Sequence, residues 1–103
     1  LDTVKACFPP GSMTGAPKIK AMELCTSLEE LPRGVYSGAI GFFDGAGGCE
    51  FSVVIRTLIT DGRKFEFQVG GGIVADSTPE AEMQETFDKA RGLIKTLNIN
   101  SDI

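Results

Sequence analysis

The stretch Cys49-Glu50-Phe51-Ser52-Val53-Val54-Ile55-Arg56-Thr57-Leu58-Ile59-Thr60-Asp61-Gly62-Arg63-Lys64-Phe65-Glu66-Phe67-Gln68-Val69 decides the fold. Residues 49–60 are rich in β-branched and aromatic side chains. An extended backbone sends Phe51, Val53, Ile55, Thr57 and Ile59 to one side and Glu50, Ser52, Val54, Arg56 and Leu58 to the other. Asp61-Gly62 is a tight-turn signal, because both residues accept positive φ. Residues 64–69 alternate again, so the stretch predicts an antiparallel hairpin.

Outward from that hairpin, residues 35–43 predict a third strand, joined through Asp44-Gly45-Ala46-Gly47-Gly48. Residues 17–29 predict a helix with Ile19, Met22, Cys25 and Leu28 on one face, ended by Pro32 and Gly34. A second helix is predicted to run to Leu97, with Asn98 to Ile103 as a tail. Ser77 and Glu80 fit a capping box, Pro79 lies in the first turn, and Met83, Phe87, Ala90, Ile94 and Leu97 form an apolar stripe. The expected class is α+β: an antiparallel sheet of about three strands with two helices on one face. Val54 and Leu58 beside Arg56 give the other sheet face a half-buried character. That face predicts packing on a part of the protein that is absent here, or self-association and poor solubility when left bare.

The bulk numbers narrow the function. The 103 residues suit one small domain, read as a single unit over 1–103. The chain begins at Leu1 and reads as a piece of a longer protein. A net charge of −4 without a basic cluster argues against nucleic acid. No apolar run approaches the roughly 20 residues of a membrane span. Cys7, Cys25 and Cys49 are an odd set without C-x-x-C spacing and read as reduced thiols of a cytoplasmic protein. With no histidine, a metal would need oxygen ligands.

Four features carry possible chemistry. Phe8-Pro9-Pro10-Gly11-Ser12-Met13-Thr14-Gly15-Ala16-Pro17-Lys18 runs into a helix start that Ser12 or Thr14 can cap; it reads as an ordinary capped entry or as an anion site. Gly70-Gly71-Gly72 reads as a bulged strand end or as backbone bared for a ligand. Glu82, Glu85 and Lys89 share one helix side. They read as a solvated face with an i to i+4 ion pair, or as a carboxylate pair for a hard cation. Arg56 reads as a snorkelling side chain or as a two-point grip on a carboxylate.

Taken together, Gly-Ser-Met-Thr-Gly-Ala-Pro-Lys-Ile-Lys-Ala-Met (11–22), Tyr-Ser-Gly-Ala-Ile-Gly (36–41), Val-Ile-Arg-Thr-Leu (54–58), Gly-Gly-Gly-Ile-Val-Ala-Asp-Ser (70–77) and Gln-Glu-Thr-Phe-Asp-Lys (84–89) occur in an order that resembles the C-terminal part of the chorismate-binding enzymes. That family holds anthranilate synthase component I, aminodeoxychorismate synthase component I, isochorismate synthase and salicylate synthase. The resemblance covers residues 8 to about 97 and is nearest to the aminodeoxychorismate synthases, in Gly-Gly-Gly-Ile-Val and the Phe-Asp pair.

The resemblance implies a fragment of a two-sheet sandwich with helices outside. It implies amination of chorismate to 4-amino-4-deoxychorismate, on the way to para-aminobenzoate and folate. Mg²⁺ would be the cofactor, and ammonia would come from a glutamine amidotransferase partner. It implies that Glu85 ligates Mg²⁺, with Glu82 ligating directly or through water. Lys89 would neutralise a substrate carboxylate, and Arg56 would anchor the enolpyruvyl carboxylate near Tyr36 and the amides of Gly71 and Gly72. Ser12, Gly15 and Ala16 would touch the ring-side carboxylate, with Lys18 behind them. A nucleophilic lysine, a further metal-binding glutamate and a histidine are expected upstream, so the piece alone would be inactive. The alternatives are an anthranilate or isochorismate synthase fragment, and a non-catalytic module that binds small carboxylates.

Overall fold

The computed structural model describes residues 1–97, and the expected tail from Asn98 lies outside them. The chain is α+β and divides into two units, Leu1–Val54 and Ile55–Ile103.

Unit 1 opens with helix α1 (Asp2–Cys7) and the single turn α2 (Gly11–Thr14), two helical segments absent from the sequence expectation. Helix α3 spans Lys18–Leu28. Pro17 is its N-cap, with extended ψ of 140°, and not its first helical residue. Neither Ser12 nor Thr14 caps α3; Thr14 Oγ1 turns back to the carbonyl of Pro10 at 3.3 Å. Strands β1 (Ala39–Phe43) and β2 (Cys49–Val53) pair antiparallel, with Gly41 opposite Phe51, around the expected loop 44–48. Asp44 Oδ1 organises that loop by accepting from the amides of Ala46 and Gly48. The Phe51 ring packs near Phe8 and Phe43, at centroid distances of 6.2 and 5.3 Å. Ser37, at φ 67°, donates its amide to Val54, and the Val54 amide reaches Gly38. This exchange buries Ser37 and Val54 together.

Unit 2 holds strands β3 (Ile59–Thr60) and β4 (Phe65–Glu66), then helix α4 (Pro79–Thr96). The expected continuous strand 49–60 is thus broken, and the three-stranded sheet is two separate two-stranded ones. The break has a local cause. Arg56 adopts φ 49°, which a ladder does not accommodate, and Thr57 Oγ1 bonds the Ile55 carbonyl at 2.9 Å in place of strand pairing. Thr60 pairs with Phe65, so the turn is the four-residue loop 61–64. Asp61 Oδ1 closes it by accepting from the amides of Arg63 and Lys64, which holds this carboxyl below its ordinary pKa.

The apolar stripes are only partly covered. Ala90 and Leu93 of α4 are buried, while Met83 and Phe87 are exposed. On α3, Ile19 and Leu28 remain about three-quarters exposed (75% and 78%), while Cys25 between them is half-buried, so the apolar face predicted for that helix is covered only at its middle. Among the described residues, no helix is long and apolar enough to cross a membrane.

Candidate functional site

The start of α4 places the chemistry of unit 2. Thr78 is the N-cap: its hydroxyl accepts from the Ala81 amide, and Pro79 supplies the first helical position. The Ser77–Glu80 capping box is therefore not formed. Ser77 instead accepts from the Val74 amide at 3.0 Å and donates to Glu82 Oε1 at 2.6 Å. The other carboxylate oxygen, Glu82 Oε2, is buried without a hydrogen-bond partner. A Cβ placed on Gly71 would lie 2.7 Å from it, so the glycine leaves the room in which this oxygen sits.

One and two turns further on, the same helix side presents Glu85 and Lys89. Lys89 Nζ lies 2.5 Å from Glu85 Oε1 and donates to the Gly70 carbonyl at 3.0 Å. Glu85 Oε1 and Lys89 Nζ are each 3.9 Å from the same Cβ position on Gly71. Described contacts thus gather Gly70, Gly71, Ser77, Glu82, Glu85 and Lys89 into one cluster. The helical spacing of 82, 85 and 89 supplies one wall, and the glycine run supplies the other.

Other residues singled out in the sequence stand elsewhere. Arg56 is exposed in its left-handed bend and not in mid-strand. Gly72 has open space around its Cα. In unit 1, Ser12 lies exposed on α2, and Gly15, at φ 109°, ends that turn with its amide on the Gly11 carbonyl. Ala16 is exposed, and Tyr36 is half-buried in the turn after Arg33. Lys18 Nζ donates to the carbonyls of Ala6 and Cys7, the open C-terminal end of α1.

A polar network in unit 1 was not foreseen. Arg33 forks onto Glu29 and donates to the Met13 carbonyl, to Ser37 Oγ and to Cys25 Sγ. The hydrogen bond that Arg33 donates holds the Glu29 carboxyl below its ordinary pKa, and the same bond to Glu29 raises that of Arg33. The 29/33 spacing was the available signal. Thr14, Met22 and Arg33 also line a cavity of about 430 Å³. The three cysteines are free thiols.

Chemically, the unit 2 cluster offers a cation already paired with one carboxylate and a second carboxylate with a buried, unpartnered oxygen. Among the described residues no group of three or more Asp, Glu or Cys side chains assembles a complete metal site, and the sequence has no histidine. Two carboxylates on one helix side still suit an ion that fills its remaining positions with water.

Comparison with known proteins identifies the family. The family profile described as chorismate binding enzyme matches residues 1–95. The chain is 50% identical over 98 residues to an aminodeoxychorismate synthase of Streptomyces griseus, covering 95% of the chain and 14% of that protein. It is 44% identical over 102 residues to anthranilate synthase component 1 of Acinetobacter calcoaceticus, covering 99% and 20%. It is 46% identical over 99 residues to that of Thermococcus kodakarensis, covering 96% and 23%. The chain therefore spans between about one-seventh and one-quarter of the length of these relatives. With the profile covering nearly every described residue, the chain belongs to the family of chorismate-binding enzymes.

Proposed function

We propose that the chain contributes the metal and carboxylate end of an enzyme that aminates chorismate to 4-amino-4-deoxychorismate. The observation that carries this is the unpartnered oxygen of Glu82, buried beside the bare Cα of Gly71 with Glu85 and Lys89 next to it. The half-identity to the Streptomyces griseus aminodeoxychorismate synthase supports the product assignment. So do Gly70-Gly71-Gly72-Ile73-Val74 and Phe87-Asp88.

The residues present fit Mg²⁺. Glu82 Oε2 is a hard donor with no other partner, and Gly71 brings no Cβ to displace it. Glu82 and Glu85 would hold the ion, which when bound would supply Lewis-acid help to the departing C4 hydroxyl of chorismate. The remaining work falls to the chain. Lys89, on releasing Glu85 to the ion, would meet a substrate carboxylate as a point charge. The amides of Gly71 and Gly72 would donate to the other, enolpyruvyl carboxylate, where no side chain intervenes. Arg56, exposed and with five donors, would grip that carboxylate in two-point fashion. Ammonia from a glutamine amidotransferase partner would supply the nitrogen, in a cytoplasmic protein serving para-aminobenzoate and folate synthesis.

A second reading, anthranilate synthesis, is favoured by the anthranilate synthases at 44% and 46% identity. Both readings share the cluster and differ in product. Incubating the intact protein with chorismate, Mg²⁺ and ammonium, and separating the products by chromatography, tests them. Aminodeoxychorismate is expected, and anthranilate would move the assignment to the second reading. Turnover that survives chelation by EDTA would remove the role given to Glu82 and Glu85.

A further inference from the structure

The turn before α4 carries two neighbouring hydroxyls with different tasks. Thr78 caps the helix, while Ser77 faces the other way and holds Glu82. The Ser77 hydroxyl proton is committed: the oxygen accepts from Val74 N at 3.0 Å and donates to Glu82 Oε1 at 2.6 Å. The Ser77 amide also returns to the Val74 carbonyl at 3.0 Å, so the hydroxyl is fixed to a closed turn and not to a mobile loop. A carboxylate with one oxygen held this way cannot rotate freely about its last bond. Its second oxygen is then committed to the space beside Gly71.

We propose that Ser77 is a positioning residue: by bonding Glu82 Oε1 it aims Glu82 Oε2 at the divalent cation that binds beside Gly71. The inference rests on the reading of Glu82 as a metal-facing carboxylate and adds the group that aims it. Ser77 touches neither ion nor substrate and acts only through Glu82. A hydroxyl donor behind a ligating carboxylate restricts its orientation before the ion arrives, and outer partners of this kind carry a large share of metal affinity.

The test is Mn²⁺ binding to the intact protein without chorismate, read from the electron paramagnetic resonance of free Mn²⁺. Ser77→Ala is expected to weaken binding about tenfold, within the range for loss of such a partner. Ser77→Thr, which keeps the hydroxyl, is expected to restore it. Thr78→Ala removes the helix cap and leaves the bond to Glu82, so it is expected to lower the melting temperature and leave Mn²⁺ affinity unchanged. Wild-type affinity in Ser77→Ala, alongside lost affinity in Glu82→Gln, overturns the role of Ser77 alone. Equal weakening by Thr78→Ala and Ser77→Ala also overturns it, because the effect then belongs to the helix start. Wild-type affinity in Glu82→Gln overturns the underlying reading of Glu82 and the inference with it.

Discussion

Lys89 Nζ donates to the carbonyl oxygen of Gly70 at 3.0 Å, across nineteen residues of chain. The bond ties the glycine run to α4, while the same ammonium pairs with Glu85. Lys89→Met removes the charge and both bonds while keeping much of the stem. Loss of one pre-aimed charged group is expected to lower the chorismate kcat/KM of the intact protein by about 10²-fold. Faster amide hydrogen exchange at Gly71 and Gly72 should accompany it. A variant with wild-type kinetics would remove Lys89 from the site.

Gly71 and Gly72 separate room from flexibility. A methyl group on Gly71 meets Glu82 Oε2 at 2.7 Å, whereas one on Gly72 meets nothing within 4 Å. Gly71→Ala is expected to displace the Glu82 carboxylate and weaken Mn²⁺ binding about tenfold, an effect comparable to losing an outer partner. Gly72→Ala is expected to bind Mn²⁺ as the parent does. Mn²⁺ titration of both variants decides it, and equal behaviour of the two would contradict the cradle.

Gly41 is required by close approach. A Cβ there would sit 2.5 Å from the Phe51 ring and 2.8 Å from the Phe51 Cα, and would also strike the Glu50 carbonyl. Two of these obstacles are backbone and cannot swing away. Gly41→Ala is expected to cost about 1–3 kcal/mol, the usual range for overpacking. Gly45→Ala, in open space in the β1–β2 loop, is expected to cost far less. Urea unfolding of the two variants measures the difference.

The Glu29–Arg33 pair gives unit 1 an acid dependence. The folded Glu29 pKa is lowered, chiefly by the hydrogen bond from Arg33. Its contribution is therefore full above the ordinary glutamate pKa of about 4.3 and lost as pH falls through the lowered folded value. Glu29 is partly exposed, so the coupling is expected to be about 0.5 kcal/mol. Glu29→Gln should flatten thermal stability against pH in that acid window and leave it little changed at pH 7 relative to pH 6. An unchanged acid slope would deny the pair this role.

Periodicity located the large elements because they are dictated locally. The stripe through Ala90 and Ile94 and the start at Pro79 define α4, and the glycine-rich loop 44–48 defines the β1–β2 hairpin. The strand through Arg56 was misjudged because alternation of side chains says nothing of φ. Arg56 enters the left-handed region, and the Thr57 hydroxyl donates to the carbonyl of Ile55, two residues back. The side shared by Glu82, Glu85 and Lys89 was legible from spacing alone. Ser77 was misassigned because Ser77 and Thr78 are both good caps, and only tertiary contact separates the one that caps from the one that holds Glu82. Helix α1 escaped notice because six residues carry too little periodicity to register.

Arg33 has a bearing on the order of events in folding. Its guanidinium reaches the end of α3 through Glu29 and Cys25, α2 through the Met13 carbonyl, and the turn before β1 through Ser37. All three segments must stand in place before these bonds can be made together, and the prediction is that they are completed only after the main barrier. Arg33→Met should then accelerate unfolding while leaving the refolding rate nearly untouched. Stopped-flow measurements of both rates would read this directly. One side chain would govern how long unit 1 persists without governing how fast it is reached.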